Sequence, residues 1–137
     1  MTEQHRMTIH TQMLEVARVI AMRGTCSRLK VGAVVARGGR ILSTGYNGAP
    51  SGLQHCVHSD DTPCTIAVHA EANAICFAAR QGSRVEGAEI YCTHMPCLYC
   101  SSLIINAGIS QVFYAISYRD NRGNDALWSA GVVVTAL

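Results

Sequence analysis

The chain has 137 residues, of which 49% are hydrophobic and 15% are charged. This composition excludes an intrinsically disordered chain, and a chain of this length can bury a hydrophobic core without needing disulfide bonds or a structural metal. The formal net charge is +2, and the ten arginines and one lysine are scattered along the sequence, which argues against nucleic acid or a membrane surface as a partner. We therefore expect a single domain over residues 1–137.

Hydrophobic periodicity predicts alternating short helices and strands. The first part of the chain reads as a helix, a strand, a hairpin turn and a returning strand, at residues 7–22, 31–36, 37–40 and 41–46. A turn-rich stretch and a loop then lead to about residue 65. Helices and strands alternate in the remainder: helix 67–81, strand 88–92, a helix opening at Pro96 and ending near Gly108, strand 111–115, helix 122–130 and strand 132–135. That order predicts an α/β fold with a mixed sheet and helices on both faces.

The seven cysteines point to metal or thiol chemistry. No apolar run approaches the roughly 20 residues that a membrane span needs, and the N-terminus does not read as a signal peptide. We therefore expect a cytoplasmic protein, where a disulfide framework is disfavoured. Two of the cysteines, Cys76 on the second helix and Cys92 in a strand, are expected to pack in the interior.

Four residues have the spacing of a catalytic metal site. His69 and Glu71 are expected at the start of the second helix, and Cys97 and Cys100 in the first turn of the third. The i, i+3 spacing puts both thiols on one helix face, and a helix N-terminus favours thiolates. Structural zinc usually has four protein ligands, whereas a catalytic zinc keeps one position for water. Two thiolates and one imidazole therefore predict a catalytic zinc, with Glu71 beside it but not a ligand.

Each half of this pattern has an ordinary explanation when taken alone. A lone Cys-x-x-Cys can be half of a zinc ribbon or a redox pair, and a lone histidine on a helix is more often a core residue than a ligand. The combination of His-x-Glu with Pro-Cys-x-x-Cys is much more specific. It matches the signature of zinc nucleobase deaminases, in which zinc activates a water and the glutamate is the general acid and base.

Further segments resemble one family within that class. Cys26–Val34 and Gly45–Gly52 are similar to the corresponding segments of deoxycytidylate (dCMP) deaminases, and His69–Ile75 and Pro96–Cys100 complete the pattern. The similarity covers about residues 8–134. It implies a three-layer α/β/α cytidine deaminase-like fold with a five-stranded mixed sheet. It also implies zinc-dependent hydrolysis of dCMP to dUMP and ammonia.

The resemblance implies substrate-binding residues and partners as well. Arg28 would bind the 5′-phosphate, Asn47 the deoxyribose, Ala70 would contact the substrate, and Tyr118 would help to close the nucleotide site. The alternatives are a solvated surface cation for Arg28 and a turn residue for Asn47, because Asn-Gly is itself a turn signal. Family members are often hexamers that dCTP activates and dTTP inhibits. The resemblance thus implies a homo-oligomer, hexamer or dimer, with these nucleotides as effectors.

Three other cysteines lie outside the catalytic pattern. Cys26, Cys56 and Cys64 are accompanied by two histidines that flank Cys56. Some family members bind a second, structural zinc in this region, and three thiols with one histidine would complete a tetrahedral site. The fourth ligand is expected to be His58, with His55 left open. The alternative is a loop of unpaired thiols and ordinary polar residues.

Several other functions stay open from the sequence. A tRNA adenosine deaminase shares the zinc motifs but needs a basic surface, which the scattered charge does not provide. A nucleoside or free-base deaminase would not need Arg28. A non-catalytic zinc module would have no reason to keep Glu71 beside an open zinc position. A 5-substituted dCMP also remains a candidate substrate.

Overall fold

A computed structural model describes residues 5–58 and 64–137. Within these ranges four helices and five strands follow one another along the chain. The elements are α1 (Ile9–Ala21), β1 (Gly32–Arg37), β2 (Arg40–Tyr46), α2 (Ala70–Gln81), β3 (Glu89–His94), α3 (Leu98–Asn106), β4 (Gln111–Ile116), α4 (Arg122–Ser129) and β5 (Val133–Ala136). None of these helices is long and apolar enough to cross a membrane.

The five strands form one mixed sheet in the order β2-β1-β3-β4-β5. β1 pairs antiparallel with β2 and with β3, whereas β3, β4 and β5 run parallel. A tight hairpin suffices between β1 and β2, but parallel neighbours need crossover connections, which α3 and α4 supply. The predicted five-stranded mixed sheet is confirmed.

Helices cover both faces of this sheet. On one face Ala17 of α1 shares a buried cluster with Val34 of β1. The other face carries α2, α3 and α4, and there Ile104 and Leu127 share a larger cluster with Val35. Because successive strand residues point to opposite faces, these two clusters lie on opposite sides of the sheet. The fold is therefore the predicted three-layer α/β/α arrangement.

Three helices begin later than predicted, α1 at Ile9 rather than at residue 7, and in the two that carry predicted metal ligands the capping residues set the start. The N-cap of α2 is His69, so this helix begins at Ala70 rather than at residue 67. The N-cap of α3 is Cys97, whose side chain accepts a hydrogen bond from the backbone N–H of Cys100. The prediction that Pro96 opens α3 is therefore wrong, since it precedes the cap. In both helices a predicted metal ligand is therefore the capping residue, next to backbone N–H groups that have no partner within the helix.

The two cysteines expected to pack in the interior differ in the structure. Cys92 on β3 is fully buried, as predicted. Cys76 on α2 is exposed, so its prediction is wrong. The buried face of α2 is formed instead by small residues at helical spacing, including Ala70, Ala74 and Ala78.

Gly45 allows the start of α2 to lie directly on β2. A Cβ atom at this position would clash with the carbonyl oxygen of Ala70 and with the amide nitrogen of Ala74. On the same strand, the hydroxyl of Ser43 donates to the carbonyl oxygen of Ala74 at 2.7 Å. The sheet thereby fixes the first turn of the helix that carries Glu71.

We expect Gly45→Ala to lower the free energy of unfolding by about 3 kcal/mol, since overpacking against backbone atoms forces the backbone to shift. Urea denaturation measures the change. Thr44→Ala is the matched control, because the side chain of Thr44 points to the other face of the sheet. Equal denaturation midpoints for Gly45→Ala and the wild type would contradict the prediction.

Candidate active site

The predicted site residues meet at the carboxyl end of β3. Cys97 follows this strand closely as the N-cap of α3, and His69 is the N-cap of α2. β1 runs antiparallel to β3, so the segment before β1 reaches the same edge of the sheet. There the backbone N–H of Gly32 donates to the hydroxyl of Thr93 at 3.1 Å.

His69, Cys97 and Cys100 form a compact cluster. Nδ1 of His69 lies 3.5 Å from Sγ of Cys97 and 3.3 Å from Sγ of Cys100. All three ligand atoms lie within 4.8 Å of one another. Tetrahedral zinc, with Zn–S near 2.3 Å and Zn–N near 2.1 Å, places such atoms about 3.6 Å apart. The donor set and its spacing therefore fit one zinc ion.

Hydrogen bonds within the cluster favour the thiolate of Cys97 but the protonated forms of Cys100 and His69. The bond with the Cys100 thiol, followed by one with His69, lowers the pKa of Cys97 to about 4. The same thiol pair raises the pKa of Cys100, and burial adds to this effect. The pKa of His69 is raised mainly by its hydrogen bond to Cys97. A metal ion would displace the protons on His69 and Cys100, so metal affinity should fall as pH falls.

Glu71 lies on the first turn of α2 and is almost fully buried, at 4% exposure. It is not one of the three clustered ligand residues. Burial raises the pKa of its carboxyl, while the charge of His69 opposes that rise. A buried carboxyl with a raised pKa, two residues from a metal ligand, is suited to accept and return a proton.

A cavity of about 200 Å³ opens beside the cluster. Its wall includes the predicted catalytic residue Glu71. It also includes all four predicted substrate-binding residues, namely Arg28, Asn47, Ala70 and Tyr118. Metal ligands, a buried carboxyl and an arginine thus surround one space.

The side chain of Asn47 forms hydrogen bonds with two backbone groups of the segment before β1. Its Oδ1 accepts from the N–H of Val31 at 2.8 Å, and its Nδ2 donates to the carbonyl oxygen of Leu29 at 2.6 Å. One Nδ2 hydrogen remains for a ligand. Asn47 therefore holds the chain next to Arg28, a role that the Asn-Gly turn signal did not indicate.

His94 is a residue that the sequence reasoning missed. Its ring stacks on that of Tyr118, with centroids 6.0 Å apart and planes inclined by 26°. Its Nδ1 lies 2.8 Å from the hydroxyl of Thr93. Burial lowers the pKa of His94, which favours the neutral ring. In the sequence, its place two residues after the predicted strand 88–92 and two residues before Pro96 was the available signal.

A second cluster lies next to the first. Cys26, Cys56, His58 and Cys64 have ligand atoms within 4.8 Å of one another. Sγ of Cys26 lies 3.5 Å from Nε2 of His58. His55 instead lines a separate groove beside the glycine-rich turn, residues 47–52. The structure thus groups His58, rather than His55, with the three thiols.

Cys64 resembles Cys97 in its local geometry. Its Sγ accepts the backbone N–H of Ala67 at 3.3 Å, the same i, i+3 bond that Cys97 accepts from Cys100. Burial opposes ionisation of Cys64, but hydrogen bonds from the N–H groups of Ala67 and Ile66, together with those from Cys56 and His58, lower its pKa to about 6. Both clusters therefore contain a thiol prepared as a thiolate, the form that binds metals.

Comparison with known proteins identifies the family to which the chain belongs. The family model described as the cytidine and deoxycytidylate deaminase zinc-binding region matches residues 7–116. The chain belongs to this deaminase family. In a member of a zinc-binding family, the cluster of His69, Cys97 and Cys100 fits a zinc site.

Individual relatives resemble this deaminase over most of its length. The dCMP deaminase of cyanophage S-TIM5, solved in complex with dCMP and dUMP, is 36% identical with a TM-score of 0.89, covering 96% of this chain and 100% of that one. The deoxycytidylate deaminase of phage T2 is 31% identical over 89% of this chain and 88% of its own length. ComE operon protein 2 of Bacillus subtilis is 42% identical over 86% of this chain, which spans 65% of that protein.

Proposed function

We propose that the protein hydrolyses dCMP to dUMP and ammonia, with zinc held by His69, Cys97 and Cys100. The observation that carries the proposal is the single cavity whose wall combines Glu71 and two of these ligands with Arg28. The similar cyanophage enzyme, solved with dCMP and dUMP, supports the choice of substrate.

The chain's own residues supply the proton transfers. Zinc at the three ligands would provide Lewis acidity towards a water molecule. Glu71 takes a proton from the attacking water and delivers it to N3 of cytosine while the water oxygen bonds to C4. Glu71 then carries the second proton to the amino group, the C4–N bond breaks, and ammonia leaves. One water is consumed, and the ring becomes uracil.

The remaining cavity residues bind and orient the nucleotide in this proposal. The guanidinium of Arg28 can bind the 5′-phosphate through two parallel hydrogen bonds. The second Nδ2 hydrogen of Asn47 would donate to the deoxyribose, and Ala70 would contact the substrate with its small side chain. Tyr118, 39% exposed, lies at the cavity wall where it can cover a bound nucleotide.

Ammonia release tests the proposal. The substrates are dCMP, 5-methyl-dCMP, dCTP, deoxycytidine, cytosine and a tRNA anticodon stem. We expect dCMP to have the highest kcat/KM, with deoxycytidine at least about 100-fold lower, because it lacks the phosphate that a charge-assisted contact recognises. Preferential turnover of deoxycytidine, cytosine or the tRNA stem would refute the assignment. Faster turnover of 5-methyl-dCMP than of dCMP would make the 5-substituted nucleotide the preferred substrate.

We also propose that Cys26, Cys56, His58 and Cys64 bind a second, structural zinc. The four-ligand set suits a closed tetrahedral site, and the prepared thiolate of Cys64 supports it. Elemental analysis of the purified protein should give two zinc ions per chain, falling to one in Cys56→Ser. One zinc per chain in the wild type would rule out the second site.

Finally, we propose a homo-oligomer that dCTP and dTTP regulate. A groove beside the glycine-rich turn supports an effector site, since its wall includes Gly48, Gly52, His55 and Phe77. Light scattering measures the molar mass with and without each nucleotide. A monomer under all conditions, with kcat/KM for dCMP unaffected by either nucleotide, would contradict this part.

A further inference from the structure

The second cluster and the substrate cavity share a wall. Cys26 and Cys64 belong to the cluster and also line the cavity. A metal in the second cluster would therefore lie immediately behind the substrate site rather than at a remote surface.

Arg28 lies on a short segment that begins at this cluster. Cys26 contributes its thiol, and the next residue, Ser27, accepts the backbone N–H of His58 at 3.1 Å. Both contacts reach the same residue, because Cys26 Sγ lies 3.5 Å from the ring of His58. At Cys26 and Ser27 the chain is thus held by the cluster, while one residue earlier the N–H of Thr25 donates to the carbonyl oxygen of Asn47 at 3.0 Å.

The chain just after Arg28 is held differently. Asn47 bonds the backbone at Leu29 and Val31, as described above. The ammonium of Lys30 adds a bond to the carbonyl oxygen of Gly24 at 2.7 Å. These contacts involve no cluster residue, so they persist whether or not a metal is present.

We infer that metal binding at Cys26, Cys56, His58 and Cys64 positions Arg28 and thereby sets the affinity for the phosphate of the substrate. This inference rests on the proposed function. With the cluster occupied, Arg28 is anchored on both sides and its guanidinium is preorganised at the cavity wall. Without the metal, the preceding anchor loosens while the zinc ligands and Glu71 stay in place. The second metal therefore controls phosphate recognition and leaves the chemical step alone.

Binding of dUMP and deoxyuridine to Cys56→Ser tests the inference without turnover. Cys56 belongs to the second cluster but not to the cavity wall. We expect one zinc per chain, about tenfold weaker dUMP binding by calorimetry, unchanged deoxyuridine binding, and a raised KM for dCMP at nearly constant kcat. Cys76→Ser is the matched control, because it removes an exposed thiol outside both clusters.

Ser27→Ala tests the same anchor without removing a ligand. It should keep two zinc ions and weaken dUMP binding about threefold, so it decides the matter if Cys56→Ser does not fold. Unchanged dUMP binding in either folded variant would overturn the inference, as would equal weakening of dUMP and deoxyuridine. Absence of dCMP turnover by the wild type would instead refute the proposed function, because the binding comparison does not depend on turnover.

Discussion

Replacing Glu71 by glutamine should lower kcat for dCMP by about 1,000-fold or more and leave the zinc content unchanged. Proton transfer by one positioned side chain contributes roughly 10²- to 10⁴-fold, and Glu71 serves two transfers in the proposed reaction. Glutamine matches the shape of the buried carboxyl but cannot take up or deliver the proton. Steady-state ammonia release and elemental analysis measure the two quantities.

The control for this variant is Glu89→Gln at the opposite end of β3, where the side chain is only partly buried. We expect it to keep the wild-type kcat. If Glu71→Gln retained more than about a tenth of the wild-type kcat with full zinc occupancy, another group would have to move the protons. Loss of zinc from Glu71→Gln would show instead that the carboxyl is needed to build the site.

Helix capping explains how the sequence encodes the metal cluster. His69 and Cys97 are both N-cap residues, and Cys100 lies in the turn that follows. The partial positive charge of a helix N-terminus favours thiolates, and short motifs at two such termini fix three ligands. This cluster was therefore predictable from the spacing of the two motifs together with their match to the deaminase signature, even though Pro96 was wrongly placed inside α3.

The second cluster depends on the path of a loop, which hydrophobic periodicity does not predict. His55 and His58 flank Cys56 equally well in sequence, and only the fold brings His58 to Cys26. The hydrogen bonds of Asn47 are similar, because they join two segments whose approach depends on the pairing of β1 with β2. Local patterns predict residues that act within one turn, whereas these contacts require the assembled sheet.

Replacing Arg28 by glutamine should remove the preference for dCMP over deoxycytidine. We expect kcat/KM for dCMP to fall about 100-fold and that for deoxycytidine to change less than about threefold. A hydrogen bond to a charged group contributes roughly 1.5–3 kcal/mol, and a bidentate contact uses two. The measurement is kcat/KM for both substrates at one ionic strength, since salt screens exposed charges.

Arg23→Gln separates phosphate binding from the general loss of one positive charge. Arg23 is exposed just after α1 and does not line the cavity, so its removal should leave both substrates unaffected. An equal loss for dCMP and deoxycytidine in Arg28→Gln would mean that the side chain supports the fold of the site rather than the phosphate. Because the guanidinium and Glu71 lie on the same cavity wall, a selective loss would also place the base of the bound nucleotide against the zinc cluster. The phosphate and the amino group of dCMP would then be recognised within one cavity.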